Sequence, residues 1–166
     1  MKVFNLALAI FVTGCGSTLL SPAMAGEAQS AEATTRSFYS WYVPQAVAAR
    51  DQPAWAKALR RKPPALSAQL QRELASDLRK KAHASGMIEG IDFDPFLGGQ
   101  DPCPRFAIGT TRMERARYLV EVRPVCPSGP EQPAVTVSLV RVKSGLVIDD
   151  VSYGGGNTLR HALAAQ

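Results

Sequence analysis

Histidine is nearly absent from this chain: His83 and His161 are the two in 166 residues. Both fall in stretches that read as helix ends with polar or Ala-rich neighbours. Neither is placed to act as the base that an activated nucleophile needs. Cysteine is almost as scarce, with Cys15, Cys103 and Cys126 alone, so the paired Cys/His spacing of a zinc site is missing. The sequence also lacks a G-x-S-x-G elbow, a P-loop and a dinucleotide fingerprint. These gaps make an enzyme the less favoured reading, and no cofactor is expected. Basic residues are not clustered with aromatics on one element, as a nucleic-acid surface requires. They are scattered as Arg60-Arg61-Lys62, Arg79-Lys80-Lys81 and Arg112 to Arg117. The net charge is +5, and this spread reads as solvated faces rather than a nucleic-acid surface.

What is present begins with an address. Met1 and Lys2 form a short positive segment, and Val3 to Val12 is apolar except for Asn5. This is a secretory signal pattern, too short to span a bilayer as a mature helix. Two exits are open. Ala23-Met24-Ala25 offers an A-x-A cleavage site before Gly26, making 1–25 a signal peptide. Val12-Thr13-Gly14-Cys15 instead resembles the lipobox of bacterial lipoproteins, which would remove 1–14 and place a lipid on Cys15. Either exit predicts a periplasmic protein, with any membrane contact through that lipid. Either exit also disposes of the odd cysteine. Cys103 and Cys126 then remain to pair in an oxidising compartment, two free thiols being the alternative. Such a bridge stabilises by about 3 kcal/mol in the chain-entropy view.

The rest reads as a tether (26–34) and one domain (35–166). Thr35 to Arg50 has helical periodicity, with Phe38, Tyr42 and Ala46 on one face and Trp41 beside it; Pro44 is expected to kink or divide this helix. Pro53 to Arg61 suits a short helix. Ser67 to Ser85 is the clearest helix, capped by Ser67, ridged by Leu66, Leu70, Leu74 and Leu78, and stopped at Gly86. Strands are expected over Arg105–Met113, Ala116–Val125, Val135–Val142 and Leu146–Tyr153, with a turn at Pro127 to Pro130. Asn157 is expected to cap a short last helix. The fold class is therefore α+β: N-terminal helices on a curved four-stranded antiparallel sheet, with a short C-terminal helix.

Between the two halves lies Ile91 to Cys103, which packs three Asp, two Phe, two Pro and two Gly into one crossing. Phe93, Phe96 and Leu97 are expected to dock it, while Asp94 and Asp101, each before a proline, form turns. Asp92, Asp94 and Asp101 with Asp149 and Asp150 could meet, but the spacing is not that of a calcium loop, and no metal is expected.

Phe38-Tyr39-x-Trp41-Tyr42, Asp94-Pro95-Phe96-Leu97-x-x-Gln100-Asp101 and Val147-Ile148-Asp149-Asp150-Val151 resemble a family of small secreted bacterial domains of unknown function. That family is similar in shape to the cone of nuclear transport factor 2. Val147 departs from the pattern, where the family often has Trp. The resemblance implies a fold and an envelope location, and no catalytic residues. The expected function is a non-catalytic envelope protein that binds a protein partner, as immunity or inhibitor proteins do. The alternative is a small-ligand binder or hydrolase using the mouth of the cone. The candidate binding residues are Trp41, Tyr42, Asp94, Gln100, Asp101 and Asp150, with the edge from Gly98 to Pro104 as the expected surface.

Overall fold

A computed structural model describes residues 22–50, 52–83, 90–127 and 133–165, with side chains from Gly26 onward except that of His83. Residues 1–21 of the expected signal segment, with Cys15, the helix stop at Gly86 and most of the turn at 127–130 lie outside the described residues; Pro22–Ala25, with the expected A-x-A site, begin a helix.

The chain is mixed α+β, with helices first and an antiparallel sheet after. Helix α1 spans Pro22–Val47, α2 Trp55–Ala58 and α3 Ala68–His83. Strands β1 (Arg105–Glu114), β2 (Arg117–Val125), β3 (Val135–Val142), β4 (Gly145–Gly154) and β5 (Asn157–Thr158) follow, then α4 (Leu159–Ala164). The sheet is a meander in the order β1-β2-β3-β4-β5, every neighbouring pair antiparallel. It has five strands rather than the expected four. After the Gly154-Gly155-Gly156 turn, Asn157 and Thr158 pair back onto β4. Two residues of strand carry no alternating pattern for the sequence to show. Thr158, not Asn157, caps α4: its hydroxyl accepts the His161 amide at 3.2 Å.

Helix α1 also begins earlier than expected. Residues 26–34, expected as a tether, are helical and packed: Ala31 and Thr35 are fully buried. Glu27 bonds the Tyr118 hydroxyl and pairs with Arg141 at 2.7 Å. Pro44 lies inside the helix without dividing it. It stands in the last turn, where a missing amide breaks at most one ladder bond. The aromatic run divides as helical geometry requires: Phe38, Tyr39 and Tyr42 are buried, while Trp41 reaches the rim and lies under the Arg61 guanidinium, 4.5 Å away.

The core lies between this helical layer and one face of the sheet. Tyr118, Val120 and Val122 of β2 face it with Val135, Val137 and Leu139 of β3 and Ile148 and Val151 of β4. The Leu66, Leu70 and Leu74 ridge packs from above. Ser67 caps α3 by accepting the Leu70 amide at 3.1 Å, and its own amide bonds Ile148 at 2.7 Å. A reciprocal bond from the Ile148 amide to Ala65, at 2.9 Å, fastens the start of α3 to β4. On the sheet's other face Glu121 pairs with Arg123 at 2.9 Å.

The β1–β2 hairpin turns through Arg115 (φ 49°) and Ala116 (φ 64°). Both are in the left-handed region that suits strand twist and penalises a side chain. Ala116→Gly is therefore expected to stabilise the protein by about 0.5–1 kcal/mol, read as a rise in thermal midpoint.

Candidate functional site

The crossing is built around one carboxylate. Asp94 Oδ1 accepts the backbone amides of Phe96 at 2.9 Å and Leu97 at 3.0 Å, and Oδ2 accepts the Tyr42 hydroxyl at 2.6 Å. The Asp94 amide donates to the Gly99 carbonyl and its carbonyl accepts from Gly98, both at 2.8 Å. Two more tyrosines grip the backbone: Tyr39 donates to the Phe96 carbonyl at 2.6 Å and Tyr153 to the Pro95 carbonyl at 2.8 Å. The Phe96 ring packs edge-on against the stacked pair of Phe38 and Tyr42, 4.9 and 5.0 Å between centroids. Phe93 meets Tyr153 at right angles. Gly98 has φ +71°, and a Cβ there would sit 3.0 Å from Val135 and 3.1 Å from Tyr153, so both conformation and space require glycine. Burial pushes the Asp94 carboxyl up, against the opposing pull of Tyr42 and the two amides. Burial and then the Asp94 charge raise the Tyr42 hydroxyl well above its ordinary value.

The loop entrance is held from α3. Asp77 Oδ1 accepts the Ile91 amide at 3.1 Å, and Lys81 Nζ donates to the Ile91 carbonyl. The loop exit is held by the Cys103–Cys126 disulfide, which spans 4.9 Å between Cα atoms and ties it to the end of β2. Both described thiols are spent in that bond.

These restraints leave a cleft of about 460 Å³ between the loop and the end of α1. Asp92, Asp94, Gln100 and Asp101 border it from the loop; Arg50 and Lys81 border it from the helices, with Val47 and Pro53 forming an apolar wall. Three of the sequence candidates, Asp94, Gln100 and Asp101, thus come together. Tyr42 stands behind them as the partner of Asp94, and Trp41 is engaged with Arg61 away from the cleft. Arg50 and Lys81 were missed. Arg50 lies just beyond α1 and Lys81 in the last turn of α3, and nothing in a single sequence shows that these two points meet over a loop. Among the described residues no three His, Cys, Asp or Glu side chains group to hold a metal ion.

Asp150 lies elsewhere. It borders a second hollow of about 290 Å³ on the sheet's open face, with Arg112, Arg117 and Arg160 around it. Its Oδ1 accepts the Arg160 amide at 3.1 Å and the Val151 amide at 2.8 Å. The register shift between Ser138 and Leu139 brings Asp149 beside it. Asp149 pairs with Arg117 at 2.6 Å and Arg160 at 3.3 Å, and Arg160 continues to Glu73 at 3.2 Å. Burial pushes the Asp149 carboxyl up, but the Ser67 hydroxyl and Arg117 outweigh it and hold the group below its ordinary value.

No protein-family model matches the chain, and no curated protein matches it. Among solved structures it is similar to a chain of the crystal structure of the type VI native effector–immunity complex Tae3–Tai3 from Ralstonia pickettii. The TM-score is 0.54 and the identity 23%, over 76% of this chain and 96% of that one. The likeness is one of fold.

Two predictions follow from these contacts. Tyr42→Phe removes one charge-assisted bond and is expected to cost about 1.5–3 kcal/mol, whereas Asp94→Ala removes three acceptor contacts and strands a buried hydroxyl, costing at least about 3 kcal/mol. Because the two share a bond, the double variant should lose less than the sum, measured by urea unfolding. At Asp149 the folded carboxyl titrates below the unfolded value of about 3.9. Its stabilising contribution is present above that value and is lost as pH falls through the lower, folded one. Asp149→Asn should therefore lower the thermal midpoint most at neutral pH, and the difference from wild type should shrink on acidification to about pH 3.

Proposed function

We propose that this chain is a non-catalytic bacterial envelope protein that binds another protein through the rim of the crossing loop. One observation carries the reading. The loop's inner polar atoms are bonded within the fold, and its rim is held at both ends, so Gln100, Asp101 and Pro102 are presented beside the cleft without an ordering cost. A rim ordered in advance spends less of its contact energy on immobilisation. The helical layer on one face of an antiparallel meander supports the cone-like shape of nuclear transport factor 2, and the Asp94-to-Asp101 motif supports membership of the secreted family it resembles. The similarity to a chain of an effector–immunity complex supports an immunity or inhibitor role. Residues 1–25 support export to the periplasm, with Cys15 as a lipid attachment point.

The test is a binding screen of the full chain against purified type VI effector proteins by biolayer interferometry. One effector is expected to bind, and Gln100→Ala/Asp101→Ala is expected to weaken it by at least about tenfold while the circular dichroism spectrum of the folded protein is retained. Binding unaffected by that variant would move the site off the rim, and no binding to any effector would remove the immunity reading.

A further inference from the structure

The molecule has two opposite ends, and the crossing loop occupies one of them. The other end is formed by the β1–β2 turn, the β3–β4 turn and the start of α1. These meet because Tyr118 pairs with Leu139 across β2 and β3. Continuing that register places Arg115 level with Val142, so the two turns project together. Glu27, in the second turn of α1, bonds Tyr118 and Arg141 and fixes the start of the helix beside them. Helix α1 then runs 26 residues to the cleft, a length of about 39 Å at 1.5 Å per residue.

Three features coincide at this turn end. First, two of the three large hydrophobic side chains exposed among the described residues are here, Met113 at 46% and Val142 at 38%. Second, the charge is basic. Arg141 and Glu27 cancel in their ion pair, leaving Arg115 and Lys143 against Glu114 at the tips, with Arg112 behind them on the wall of the second hollow. Third, α1 starts here at Pro22. The segment that follows Cys15, the candidate lipid attachment point, therefore joins the fold at this end.

Apolar tips among cations, a short way along the chain from a candidate lipid attachment point, match an anionic phospholipid surface. The apolar side chains enter the headgroup boundary while Arg and Lys meet the lipid charge. We propose that the two turns are a membrane-contact surface that lies on an anionic bilayer. Docked this way, α1 points away from the lipid and carries the crossing-loop cleft outward. No helix among the described residues is long and apolar enough to cross a membrane. The proposal does not depend on what the cleft binds.

The full chain is added to phosphatidylcholine vesicles and to phosphatidylcholine–phosphatidylglycerol vesicles, and binding is measured by co-sedimentation. Contacts are located by hydrogen–deuterium exchange. Binding to neutral vesicles measures the contribution of residues 1–21. Phosphatidylglycerol is expected to add to it and to protect 112–117 and 141–145. Arg115→Glu/Lys143→Glu should remove that added partitioning by at least about tenfold, since each basic residue near an anionic surface is worth about fivefold. An unchanged gain in the variant would overturn the proposal. So would vesicle-dependent protection at 92–102 instead of the turns, or turn protection that does not increase when vesicles are added. If the variant fails to fold, the wild-type exchange pattern decides.

Discussion

The Asp94 carboxylate is the interaction on which the crossing between the two halves depends. A loop that leaves a helix and enters a sheet carries backbone amides which must find partners once the loop is buried. Asp94 supplies acceptors for two of them and for a buried phenol at once. The second and third tyrosines then donate to the two neighbouring carbonyls. With its polar atoms matched, the loop can insert Phe96 into the aromatic cluster of α1, a side chain whose burial is worth about 1.5–3 kcal/mol. Desolvation raises the Asp94 carboxyl. The site thus carries an electrostatic cost, which the three bonds to that carboxylate offset.

Two further fastenings keep the halves in register. The Ser67–Ile148 and Ala65–Ile148 bonds set the start of α3 on β4. The chain Arg117–Asp149–Arg160–Glu73 then joins β2, β4, α4 and α3. Asp149 has room for both arginines because the bulge in β4 removes it from strict alternation. The cleft and the arginine-lined hollow therefore stand on separately braced parts of the fold.

Helix α1 joins the two ends. Its C-terminal turns line the cleft through Val47 and Arg50 nearby, and its first turns are latched by Glu27 to the hairpin ends. The helix is a strut between the crossing-loop rim and the end at which the chain enters it.

The sequence alone determined the fold class, the order of elements and the interior faces, because those follow from local periodicity. The Leu66–Leu70–Leu74 ridge and the Tyr118–Val120–Val122 alternation needed no partner to be legible. The turn-forming role of Asp94 and the pairing of Cys103 with Cys126 were legible too, from the following proline and from counting cysteines. The helix over 26–34 was not. Its Ala, Glu, Ser and Thr composition is common to tethers and helices, and its order comes from Ala31 and Glu27 meeting the sheet. The fifth strand was too short to show a period. The candidate site was half legible: Asp94, Gln100 and Asp101 share the cleft because they share a loop, whereas Arg50 and Lys81 reach it from distant helices. Asp150 went to another hollow because Val147–Asp150 belongs to β4, on the far side of the core from the cleft. Which polar residues share a site depends on packing between elements far apart in the chain, and that was decided by the tertiary structure alone.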